Sequence, residues 1–136
     1  MDRKKLEARI ARLEKLVSSK YVKNEATVND SNLEYISDDI ELGLRRELGV
    51  NTWDISASQN IIKKYNDNYV KVIVKGNGYD VPNECVGIFK VYTRGYGYRI
   101  IIDDNKNRHI GSLDGLDEVV SMISDIMTVK GEDFYG

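Results

Sequence analysis

Asn66-Asp67-Asn68-Tyr69-Val70-Lys71-Val72-Ile73-Val74-Lys75 is the stretch on which the fold turns. Three consecutive turn-forming residues give way to a period of two: Val70, Val72 and Val74 on one side, Lys71, Ile73 and Lys75 on the other. Upstream, Trp53, Ile55 and Ala57 alternate with Asp54, Ser56 and Ser58. The two runs predict a hairpin. Ile61-Ile62 interrupts the first alternation, which suggests a bulge at Gln59-Asn60. Downstream, Gly76 to Asn83 form the longest loop of the body and contain the only proline, Pro82. Strands follow at about 85–93, 97–103 and 107–112, with turns at Arg94-Gly95-Tyr96 and Asp104-Asn105-Lys106.

Helices are expected on both sides of this sheet. Ser31-Asn32-Leu33-Glu34 reads as a capping box. Leu33, Ile36, Ile40, Leu44 and Leu48 continue it as one apolar stripe over 31–48. Gly49 is placed to close that helix in a left-handed conformation, with Val50 as its apolar partner. A last helix starts near Asp114, with Asp117 and Glu118 in its first turn and a stripe of Leu116, Val119, Val120, Ile123, Ile126 and Met127. Residues 129–136 read as a tail. The expected fold class is α+β: a two-layer domain over 31–128, in which a four- to five-stranded antiparallel sheet is flanked by two helices.

The first 23 residues read as a separate unit, joined by a polar linker at 24–30. They hold eight Lys/Arg against three acids, a net of +5, whereas the other 113 residues hold 12 basic and 19 acidic side chains. Leu6, Ile10, Leu13 and Val17 are spaced as the seam of a two-heptad coiled coil from about Asp2 to Ser19. Arg9 and Glu14 then occupy positions that pair between chains. The string Arg9-Ile10-Ala11-Arg12-Leu13-Glu14 also resembles the pattern of short parallel trimeric coiled coils. Self-association, with a trimer first, is the leading expectation. An amphipathic helix folded onto its own domain, or docked on a different protein, would carry the same stripe.

The composition narrows the chemistry. The chain has 136 residues, 41% hydrophobic and 31% charged, as expected of a globular domain. One cysteine and one histidine exclude a disulfide framework and a His-rich or multi-Cys metal site. Gly76-Asn77-Gly78 lacks the Lys-Ser/Thr of a phosphate loop, and no nucleophile-elbow or zinc-protease string is present. Asp103, Asn105 and Asn107 are spaced like the start of a calcium loop, but Arg108 stands where that loop needs glycine. No metal or cofactor is expected, and enzymatic activity is not expected. A small enzyme centred on His109 is the third-ranked reading.

Arg94-Gly95-Tyr96-Gly97-Tyr98 matches the first half of an RNA-recognition strand, but Arg99 breaks the match and the element order disagrees. Lys90, Tyr92, Arg94, Tyr96, Tyr98, Arg99, Lys106 and Arg108 nevertheless fall on neighbouring strands. Together they form a candidate surface for a nucleotide, a nucleic acid or an acidic partner protein.

The coil LEARIARLEKLV joined to a small α+β body, with abundant Asn, Lys, Ile and Tyr, resembles in style the small accessory or virion-associated proteins of tailed bacteriophages. That resemblance implies a protein-binding module acting on a capsid or tail protein, or blocking a host-defence component. It identifies no site residues. The N-terminal MDRKKLEARIARLEK has no apolar core of a secretory signal and no run reaches the length of a membrane span, so a cytoplasmic or virion location is expected.

Overall fold

Alternation in the central strands decides which side of the sheet is covered. The computed structural model describes residues 3–19, 30–49, 51–60, 68–94, 97–104 and 108–135; within these, the side chains of 15–19, 30–32, 94, 112 and 135 are outside the description. Helix α1 (Arg3–Ser19) and helix α2 (Asp30–Leu48) precede five strands: β1 (Trp53–Asn60), β2 (Tyr69–Gly76), β3 (Val86–Arg94), β4 (Gly97–Ile102) and β5 (Arg108–Leu113). Helix α3 (Leu116–Tyr135) closes the order. The strands form one antiparallel sheet in the order β1-β2-β3-β4-β5. The protein is α+β, as the alternation predicts.

Val70, Val72 and Val74 are fully buried, and so are Phe89, Val91, Ile100 and Ile110, their neighbours in register on one face. All three helices lie on this face. α2 packs on β1 and β2, α1 on β5, and α3 contacts α2, α1, β4 and β5. Leu33, Ile36, Ile40 and Leu44 of α2 meet Val119, Met122, Ile123, Ile126 and Met127 of α3 in a single core. Gly87 permits a close approach to α3: a Cβ there would strike the Met127 sulfur and the Phe89 ring. Gly49 ends α2 at φ 83°, and its N–H donates to the Arg45 carbonyl. That is the left-handed closure the sequence implied.

Three expectations change. The N-terminal helix is not a detached coil: Leu6, Ile10 and Leu13 are 3%, 1% and 4% exposed, buried in the same core as the sheet. The physical reason is area. Burying three such side chains is worth on the order of 5–9 kcal/mol as an upper figure, whereas two heptads alone are marginal in water. Second, α3 runs on through the expected tail to Tyr135. Val129 is buried there, and Gly131 lets the helix approach the Trp53 ring. Third, Gln59 and Asn60 pair regularly with Val70 and Tyr69, so β1 has no bulge there. The irregularity lies instead between Tyr98 and Ile100 on the β4–β5 ladder.

The β1 edge is partly covered. The Ala57 N–H donates to the Glu41 carboxylate of α2 at 3.2 Å, and the Trp53 N–H to the Gly49 carbonyl. Such covers reduce the tendency of an edge strand to pair with another chain. The capping box at Ser31 lies outside the described side chains, as do Val50, Ile61 and Ile62. No helix among the described residues is long and apolar enough to cross a membrane.

Candidate functional site

Because successive strand side chains point to opposite faces, burying the valines of β2 turns Tyr69, Lys71, Ile73 and Lys75 to the face without helices. Register extends this across the sheet. Tyr69 and Tyr92 are flanked by Asn60 and Arg99 in one row. The next row is Ser58, Lys71, Lys90, Ile101 and His109. Then come Ser56, Ile73 and Ile88, and last Asp54, Lys75 and Val86. On the two central strands the open face therefore carries an aromatic pair, a cationic pair and an aliphatic pair. Successive pairs stand about 7 Å apart along the strands.

The aromatic pair is held by cations. The Tyr69 and Tyr92 rings lie 5.3 Å apart, tilted at 43°. The Lys90 ammonium sits 5.3 Å from the Tyr69 ring centre, and the Arg99 guanidinium 5.4 Å from that of Tyr92. Tyr92 is consequently only 6% exposed. Lys71 and Lys90 are direct register partners, and neither makes an ion pair among the described residues; nor does Arg99. The buried Nε of Arg99 has no acceptor. Lys75, by contrast, stands opposite Asp54.

The surface read from the sequence is thus divided by the pleat. Lys90, Tyr92 and Arg99 come together on the open face. Tyr98 lies on the helix side, packed against the core; burial, and then the charge of Asp39 and the nearby Tyr35, push its phenol above the ordinary 10.0. Arg108 is also on that side. It binds Asp104 at 2.9 Å and reaches Glu7 of α1 at 3.3 Å, so it ties β5 to the N-terminal helix. Arg94, Tyr96 and Lys106 fall outside the described side chains or residues. Tyr69, Lys71, Ile73, Ile88 and Ile101 belong to the face and were missed, although the alternation of residues 69–75 already placed Lys71 and Ile73 opposite the valines.

The residues read as an oligomerisation seam are likewise accounted for within one chain. Leu6, Ile10 and Leu13 are in the core, and Arg9 binds Asp125 of α3 at 2.9 Å rather than a Glu14 of another chain. Glu14 is half-buried, and the Val17 side chain lies outside the description. Arg3 pairs with Asp133 at the other end of α1.

A cavity of about 180 Å³ between α1 and α3 is lined by Arg3, Glu7, Phe89, Arg108, Met127 and Asp133, among others. Its charges Arg3, Asp133, Arg108 and Glu7 are spent on one another and on Asp104. Cys85 is fully buried, and burial raises its thiol pKa, so it holds little thiolate. His109 is exposed at the rim of the open face. Among the described residues no group of three His, Cys, Asp or Glu gathers to hold a metal ion.

No family model, curated protein or solved structure matches this chain. The open face rests on geometry and charge alone.

Proposed function

We propose that this chain is a non-enzymatic protein-binding module whose working surface is the open face of the sheet. The observation that supports it is the one-sidedness of the fold. Three helices share one face, and the other presents three cations that make no ion pair among the described residues, beside half-buried Ile73, Ile88 and Ile101. An antiparallel sheet can leave one face in water with polar side chains outward, but here three cations and three aliphatics stand side by side on it. Lys71 and Lys90 directly opposite one another disfavour the free state, and a partner that neutralises them removes that cost.

The face supports protein over nucleic acid as the partner. Base stacking needs an accessible ring, and Tyr92 is enclosed by Tyr69 and Arg99. Self-association through the N-terminal seam, the leading expectation from sequence, now requires taking Leu6, Ile10 and Leu13 out of their own core. In the setting that the phage resemblance implies, the partner is a virion or host protein met in the cytoplasm.

Affinity capture tests the reading. The wild-type chain and a Lys71→Glu, Lys90→Glu, Arg99→Gln chain serve as paired baits in extract of the source cell. A protein retained by the first and lost by the second, at equal thermal stability, is the expected result. Identical retention by both baits removes the open face from the function.

A further inference from the structure

Resting on that reading, we infer that the open face takes an acidic protein segment in which carboxylates stand beside large apolar side chains. The charge pattern selects the sign. Lys71, Lys90 and Arg99 occupy neighbouring positions on β2, β3 and β4, and among the described residues no acid is their direct register partner. Asp103 stands beside Ile88, one row along from Lys90, and Asp54 lies opposite Lys75 at the far end of the face. The chain as a whole carries a net charge of -2, so this cluster runs against the average charge. An anionic surface is steered to it specifically rather than to the protein at large.

The aliphatic pair decides what else the segment carries. Ile73 and Ile88 are register partners one step from Lys71 and Lys90, and Ile101 flanks Lys90. All three are half-buried. A phosphodiester backbone or a bare polycarboxylate would neutralise the lysines but leave these isoleucines wet. A segment with an apolar side chain about 7 Å from its carboxylates covers both. Apolar cover also excludes water from the lysine–carboxylate contacts and strengthens them.

The test uses isotope-labelled full chain and three probes: a peptide combining Glu and Leu, its counterpart with every Leu replaced by Ser, and a short oligothymidylate. The Glu/Leu peptide should shift the amide resonances of Lys71, Ile73, Ile88 and Lys90. Lys71→Glu with Lys90→Glu should weaken it by roughly tenfold or more, about 1.4 kcal/mol or more. Should that double variant fail to fold, Arg99→Gln is read instead, with a smaller loss expected. Equal binding of the Glu/Ser peptide overturns the inference by showing that charge alone suffices. Tighter binding of oligothymidylate at the same residues overturns it in favour of nucleic acid, and absence of any shift also overturns it. If capture from extract depends on the open face while the Glu/Leu peptide fails, the binding-module reading stands and only the chemistry assigned to the partner falls.

Discussion

Cys85 shows how a single residue ties the loop after β2 to the sheet. Its carbonyl accepts from the Gly76 N–H at 2.9 Å, its own N–H donates to Pro82 O at 3.0 Å, and its thiol is fully buried. Burial raises the thiol pKa above 9.0; nearby Lys130 opposes the shift and Asp133 adds to it. The folded thiol therefore keeps its proton at a pH where the unfolded one has lost it. Between the two pKa values the unfolded state binds fewer protons, so stability falls as pH rises. Tyr98 acts with the same sign from 10.0 upward. Stability should hold below about pH 9 and decline above it, and Cys85→Ala should flatten the decline between about pH 8 and about pH 10. Urea unfolding of the two chains at both pH values measures this. Parallel losses in both chains would show that the thiol contributes nothing.

At the scale of elements, α1 carries the clearest energetic claim. Ile10 is 1% exposed, on a helix that meets β5 and α3. Ile10→Ala should cost about 2–5 kcal/mol in chemical denaturation, and the midpoint should not depend on protein concentration. A midpoint that climbs with concentration would mean that the seam is shared between chains. This helix also marks what its sequence makes legible. A stripe at Leu6, Ile10 and Leu13 states that one side of the helix is buried, but a neighbouring helix and an edge strand ask for the same spacing. The stripe alone does not identify β5 as the partner. The valine alternation of β2, the stripe of α2 and the glycine closing it were readable because each depends on local geometry. The extension of α3 was not, because Lys130, Gly131, Glu132 and Asp133 look like a tail until Gly131 is seen against Trp53. The candidate site failed in part for a related reason. Grouping residues 90–108 by closeness in sequence mixes both faces, Arg99 on one and Tyr98 on the other. Pairing Tyr69 with Tyr92 requires the β2–β3 register, which no local pattern encodes.

At the scale of the whole molecule, the placement of charge separates stability from binding. Arg3, Arg9 and Arg108 are spent on internal pairs that fasten α1 to the body. Lys71 and Lys90 sit opposite each other without such partners among the described residues. Like charges facing across a ladder destabilise by roughly 0.2–1 kcal/mol, and the repulsion is screened by salt. If the open face is held ready for an anionic partner, relieving this repulsion should stabilise the free protein while weakening the complex. Lys71→Gln keeps most of the aliphatic stem and removes the charge. It should raise stability by a few tenths to about 1 kcal/mol at low ionic strength, and the gain should vanish near 1 M salt. Urea midpoints at the two salt concentrations measure it. A loss of stability at both would mean that the Lys71 ammonium is already satisfied in the free chain. The cationic pair would then belong to the architecture of the sheet, and the case for a partner on this face would lose its electrostatic half.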